Sequence, residues 1–308
     1  MDYQEARACL DQYKAELGEQ QTQFLTGLWE IQERCTPLVD WEPQDKDELL
    51  KLARKSKPWL SVNTPQMPYD WFCSTLSAIR EHIRRFAKDK DSSVFTADLS
   101  LIKESDLKDG VYQSDKLIKQ LSKRLKLSHR SDENGMFALA VVSTVSCFAR
   151  ACAAKIYCPE LLDYEFPESP ACPVCGSAAA LAVVRPTVSL DGGHRNLYCA
   201  HCDTSWHYPR IKCSHCGSVD PEDLRYFYRP SDPAHQMHVC RDCETAMPSI
   251  MLKDHKGQFN PMVEEAVFLP LAYSIMNSQL VQDYLDHKSD WGTSPEESPE
   301  ESPEESSN

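Results

Sequence analysis

Apolar residues recur at helical intervals through the first half of the chain and lose that rhythm in the second. Phe24, Leu25, Leu28 and Ile31 share one face of a proline-free run, Tyr3 to Cys35, rich in Ala, Leu, Glu and Gln. That interval predicts an amphipathic helix. Asp45 to Lys55 predicts a second, short helix ended by Pro58. Tyr69 to Ala87 carries Trp71, Phe72, Leu76, Ile79, Ile83 and Phe86 as one stripe, and Asp115 to Leu127 predicts a fourth helix with Ser114 as its N-cap. Met136 to Tyr157 is apolar on nearly every side. It predicts the central helix of a bundle, with Leu139, Val142, Val145 and Phe148 in the core.

DYEFPESPA (Asp163 to Ala171), with its prolines and acidic residues, reads as a linker. Beyond it, β-prone runs such as LAVVRPTVSL and LRYFYRP alternate with turns, and Gln258 to Lys288 returns to helix, which Pro270 must kink or divide. The acidic repeat SPEESPEESPEESSN cannot bury a core and predicts a disordered tail. The expected class is α+β: an all-α bundle over 1–163, two tandem small-β modules over 164–211 and 212–258, a C-terminal helix over 259–288 and a disordered acidic tail over 289–308.

Cysteines give the two modules their chemistry. Cys172-x-x-Cys175, Cys199-x-x-Cys202, Cys213-x-x-Cys216 and Cys240-x-x-Cys243 form two copies of C-x2-C-x23-C-x2-C, offset by 41 residues. The copies agree beyond the cysteines: Gly176-Ser177 recurs as Gly217-Ser218, and Asp203-Thr204 is echoed by Glu244-Thr245. Two intervening residues let one tight turn aim both sulfurs at a single ion, at about 2.3 Å. Glycine after the second cysteine permits the positive φ that closes the knuckle. The interval between knuckles holds a β-hairpin, as in a zinc ribbon or a rubredoxin-like site. Pairing of neighbouring knuckles is the shorter closure; interleaved pairing, first with third and second with fourth, stays open. Thioredoxin-type redox work would require a C-x-x-C at a helix N-terminus in a βαβ context, and none is evident.

Composition narrows the partners. The chain of 308 residues has a formal charge of −14 and fourteen cysteines. Its first residues have neither a positive n-region nor an apolar h-region, and the nearly uncharged Met136 to Ala149 falls short of the roughly 18–20 apolar residues of a membrane span. A soluble protein of a reducing compartment is expected, where clustered cysteines hold metal more often than disulfides. Pro170 to Asp254 holds nine acidic and eight basic residues, which disfavours nucleic acid. A site of four thiolates is coordinatively closed and hydrolyses nothing; no catalytic constellation is evident, so no enzyme is expected. His201 and His215, inside knuckles, read as surface residues, and Cys147, Cys152 and Cys158 as small apolar ones. Trp206, His207, Tyr208 and Arg210, in the bridge between the modules, form a candidate partner-binding surface.

CPVCGS, YCAHCDTSWHYPRIKCSHCGS and VCRDC resemble the FdhE family of formate dehydrogenase accessory proteins, over about Phe166 to Leu252. The resemblance implies a cytoplasmic maturation factor that binds the catalytic subunit of a formate dehydrogenase, or of a related molybdenum or tungsten enzyme. It implies two rubredoxin-like iron sites, with zinc as the alternative: Cys172, Cys175, Cys199 and Cys202 in one, Cys213, Cys216, Cys240 and Cys243 in the other. The apolar Val267-Phe268-Leu269-Pro270 departs from the acidic residues that family carries after the last knuckle. A rubredoxin-like electron carrier and a zinc-ribbon nucleic-acid-binding protein are the alternatives.

Overall fold

The computed structural model describes residues 3–40, 42, 46–62, 65–108, 110–127, 131–156, 170–186 and 193–286. The helical half comprises α1 (Tyr3–Leu10), α2 (Lys14–Arg34), α3 (Lys46–Arg54), α4 (Trp59–Val62), α5 (Tyr69–Phe86), α6 (Ser93–Thr96), α7 (Ser114–Arg124) and α8 (Ser131–Ala154). The run predicted as one helix from Tyr3 is broken twice, by a 3-10 turn at Asp11–Tyr13 and by Gly18 at φ 76°. The break lets α1 fold back onto α2, where Arg7 meets Glu33 at 2.8 Å and Tyr3, Ala6, Cys9 and Leu10 cluster with Trp29.

Helix α5 buries Phe72, Leu76, Ile79 and Ile83 as its stripe predicts. Ser114 is the first helical residue of α7 and not its cap, and Gln113 before it makes no side-chain cap bond. In α8, Val145 and Phe148 are buried as expected, together with Ala140, Val141 and Cys152, while Val142 is half-buried and Leu139 is 40% exposed. Asn134–Ala154 is long and apolar enough to cross a membrane, exceeding the stretch judged too short from sequence. Its most apolar 18 residues are 61% buried within the protein, against α2, α5 and α7. It is the central helix of the bundle.

Asp106 illustrates how this half is pinned. Its carboxylate, 2% exposed, accepts from Gln120 Nε2 and Arg124 Nη2, each at 2.7 Å, and from the Lys103 backbone N–H at 2.9 Å. Burial raises its pKa, but these donors together outweigh it and hold the carboxyl below its usual value. A depressed folded-state pKa contributes stability above the unfolded value, near 3.9, and that contribution is lost as pH falls through the folded value. Asp106→Asn is therefore expected to cost about 1–3 kcal/mol at pH 7 and to flatten the acid limb of a stability–pH curve below about pH 4. Parallel wild-type and mutant acid limbs in urea titrations would refute the assignment.

The second half is one sheet of β1 (Leu181–Arg185), β2 (His194–Tyr198), β3 (Ser205–His207), β4 (Leu224–Arg229), β5 (Asp232–Cys240) and β6 (Thr245–Met251). Its order is β3-β2-β1-β6-β5-β4. The first module supplies β1–β3 and the second β4–β6, each an antiparallel meander, and they join through the parallel pair β1–β6, with Val183 opposite Ile250. Alternation along the strands explains why both faces are covered. Ala182, Leu197 and Trp206 face the helical bundle, whereas Leu181, Val183, Tyr198, Phe227, Val239 and Ile250 face the helices that follow. Those are α9 (Pro261–Met276) and α10 (Gln279–Asp286), two helices where one was expected. The chain divides at Asn277 and Ser278, and Pro270 sits inside α9 without ending it. The architecture is mixed α+β, a sheet between two helical layers. The linker up to residue 169 and the acidic tail lie outside the described residues.

Candidate metal centres

Each module closes one cluster of four sulfurs. Cys172, Cys175, Cys199 and Cys202 form the first and Cys213, Cys216, Cys240 and Cys243 the second, with all ligand atoms of a cluster within 4.8 Å of one another. Neighbouring knuckles therefore pair, and the interleaved arrangement does not occur. Sulfur separations are 3.5 Å for Cys172–Cys202 and Cys175–Cys199, and 3.7 Å for Cys213–Cys243 and Cys216–Cys240. A tetrahedron with metal–sulfur bonds of about 2.3 Å has edges of about 3.8 Å. The donor set fits a thiophilic divalent ion, zinc or iron.

Local backbone chemistry builds each knuckle. Gly176 N–H donates to Cys172 O at 2.9 Å and Gly217 N–H to Cys213 O at 3.1 Å, and both glycines hold φ at 80°. At the second knuckle of each module the same left-handed position is taken by Asp203 (φ 64°) and Glu244 (φ 57°). The threonine after each reaches back to a sulfur: Thr204 Oγ1 lies 3.2 Å from Cys202 Sγ and Thr245 Oγ1 2.9 Å from Cys243 Sγ. The echo of Asp-Thr and Glu-Thr in the sequence is this repeated geometry.

The electrostatics call for a cation. Burial drives the Cys172 and Cys202 thiols well up, while hydrogen bonds from neighbouring sulfurs hold Cys175 well down. In the second cluster, burial raises Cys213 but backbone N–H groups of Cys216 and His215 outweigh it, bringing that thiol to about 7; burial pushes Cys216 to about 11. Four sulfurs so close cannot all ionise together unless a positive ion offsets their charge.

The two centres have different surroundings. All four cysteines of the first are buried and lie in the bundle core, whereas Cys216 is exposed and Cys243 half-buried. The first centre is seated by α4, whose Trp59 and Leu60 N–H groups donate to Pro173 O at 3.0 Å and Val174 O at 2.9 Å. A Cβ on Gly176 would stand 2.8 Å from Pro58 Cγ, so only glycine admits this approach. His201, expected at the surface, is 7% exposed: Nε2 lies 2.9 Å from Val111 O and Nδ1 3.1 Å from Ser146 Oγ. It rivets the knuckle to α8, because its neighbours Cys199 and Cys202 turn it away from the sulfurs and towards the bundle. Arg150 Nη2 adds a bond to Ala200 O at 2.8 Å. His215 is exposed, as expected. Cys147 and Cys152 are wholly buried, with burial pushing both thiols to about 12, and behave as apolar residues; Cys158 lies outside the described residues.

The proposed surface of the inter-module bridge needs correction. Trp206 and Tyr208 are each 1% exposed. Trp206 packs in the bundle core, and the Tyr208 hydroxyl donates to Cys213 O at 2.9 Å. Both lie on the inward phase of the strand alternation, and only His207 and Arg210 remain half-buried. Sequence reasoning missed Arg195 on β2, which is 1% exposed. Its guanidinium lies over the Tyr208 ring at 5.1 Å, donates to Pro209 O and Lys212 O, and meets His238 Nδ1 at 3.0 Å. His238 stacks on Tyr226 at 4.4 Å, and burial, with the charges of Arg195 and Arg210, lowers its pKa to about 4. Arg195 thus ties the bridge and the second module to the first; no spacing in the sequence marks it.

Such a chain is of a definite class: a helical domain and paired four-cysteine knuckle modules fused into one sheet. Residues 171–210 match the FdhE central domain, and the resemblance read from the knuckle motifs is to that family. The chain is 34% identical over 82 residues to a protein FdhE homolog of Aquifex aeolicus, covering 27% of this chain and 29% of that one. Identity to protein FdhE of Salmonella choleraesuis is 34% over 113 residues, 36% of this chain and 33% of that one. The match thus spans about a third of the length of these relatives. The fold extends further: the crystal structure of the FdhE protein from Pseudomonas aeruginosa aligns over 89% of this chain and 90% of that one, with a TM-score of 0.50 and 19% identity.

Proposed function

We propose that this protein is a cytoplasmic accessory factor for a formate dehydrogenase, that it binds the catalytic subunit during maturation, and that it has no turnover of its own. The observation that carries the reading is the pair of closed four-cysteine clusters set in an FdhE-type fold. Cys172, Cys175, Cys199 and Cys202 ligate one ion and Cys213, Cys216, Cys240 and Cys243 the other, iron or zinc in each. Four thiolates fill a tetrahedral ion and leave no position for water or substrate, so each site shapes a surface and activates nothing. The second module, whose Cys216 edge is open to solvent, presents that surface to the partner. A strain lacking this protein is expected to lose most formate dehydrogenase activity, and the tagged chain is expected to co-purify with the catalytic subunit. Wild-type activity in the deletion strain would overturn the reading.

The exposure of Cys216 favours one second reading, electron transfer through the second centre. It requires iron there and a reversible one-electron change; a zinc-filled, colourless protein that still restores enzyme activity would exclude it.

A further inference from the structure

Away from the cysteines, His235 on β5, His255 in the loop after β6, and Glu264 in the first turn of α9 converge, their ligand atoms within 4.8 Å of one another. Glu264 is wholly buried, and the side chains of His235 and His255 are 9% and 3% exposed. The two imidazoles address different oxygens of one carboxylate: His235 Nε2 stands 2.9 Å from Oε2 and His255 Nε2 3.0 Å from Oε1. On its far side, His235 Nδ1 lies 2.9 Å from the Asp232 carboxylate. Tyr13 completes the shell, with its hydroxyl 2.8 Å from Glu264 Oε1 and 3.2 Å from His255 Nε2.

We propose that His235, His255 and Glu264 form a third metal site, for a divalent first-row transition ion such as zinc. A buried carboxylate requires nearby positive charge, and the described ion pairs of Glu264 are to these two histidines, with no lysine or arginine. Two Nε2 atoms and a carboxylate are a recurrent donor set for zinc and iron(II). A ligating histidine is characteristically held at its other nitrogen by a carboxylate, as Asp232 holds His235. The donors are harder than the thiolates, so this site differs in chemistry from both four-cysteine centres. It joins three parts distant in sequence: the turn after α1 through Tyr13, the second module through β5, and the start of α9. Phe268 and Phe259 close it, with ring centroids 5.3 Å from His235 and 5.7 Å from His255.

The test is metal content of the full-length protein saturated with zinc and desalted, compared with His255→Gln and Glu264→Gln. Wild type is expected to hold one ion more than either variant, whatever fills the four-cysteine sites. Cobalt substitution supplies a readout free of folding effects. The additional cobalt should contribute weak d–d absorption without the thiolate charge-transfer band of the other two. Equal metal content in wild type and folded variants would overturn the site. So would wild-type cobalt spectra that saturate at the thiolate ions alone, which would leave the histidines as proton donors to Glu264. Either result leaves the formate dehydrogenase reading untouched.

Discussion

Cys175→Ser is expected to release the ion of the first centre and to collapse the seat of the sheet on the helical bundle. Apparent binding energies of structural zinc sites, about 10–16 kcal/mol, equal or exceed the whole stability of a typical domain, about 5–15 kcal/mol. All four cysteines of this centre pack in the main core, beside Leu60 and Trp59, so the loss propagates into the bundle. Cys216→Ser should behave differently. Its sulfur is exposed and its module lies farther from the bundle, so one ion is lost while the first centre and the helical half persist. A chelator should likewise remove metal in two phases, the second centre first. Metal analysis combined with thermal unfolding separates the cases. A Cys175→Ser protein with wild-type melting and a full metal complement would refute the structural role.

Arg195→Met should cost about 3 kcal/mol or more, although it touches no metal ligand. It leaves the half-buried carbonyls of Pro209 and Lys212 without their donor and deprives the buried His238 Nδ1 of its partner. An unsatisfied buried acceptor costs roughly 1–3 kcal/mol, and these act together. Arg195→Lys should restore little, since a point charge cannot reproduce a planar fork that bonds three groups and covers the Tyr208 ring. Urea unfolding checks this, with metal content at the first centre as the control. A loss under about 1 kcal/mol would show that the bridge holds itself.

The longer helices of the first half and both cysteine clusters were legible because each leaves a local signal, a stripe as in α5 or two residues between paired cysteines; the four-residue α4 and α6 are too short to leave one. Features that depend on distant contacts were not. The break at Gly18 serves the return of α1 onto Trp29, and the burial of His201 depends on Val111 and Ser146, far away in sequence. The bridge aromatics illustrate the same limit. Trp206 and Tyr208 have the residue types of a binding surface, yet strand alternation beside the bundle turns both inward. Arg195 and Glu264 look like ordinary surface charges in the sequence; only the assembled layers reveal them as buried.

The parallel junction β1–β6 has a consequence for how a duplicated unit can grow. By the 41-residue offset, β1 corresponds to β4, β2 to β5 and β3 to β6. The junction therefore sets the first strand of one unit against the last strand of the other. This is a head-to-tail contact, related by repetition and not by a two-fold axis, and contacts of that kind can recur until a ring closes or an edge stops them. Each end of the sheet still offers the complement of what the junction uses: β3 at one edge, β4 at the other. A three-residue β3 is too short to template much further pairing, and the edge strand β4 carries Arg225 and Arg229. The joint itself sets no limit on repetition, whereas the free edges, short on one side and charged on the other, disfavour pairing with a further unit.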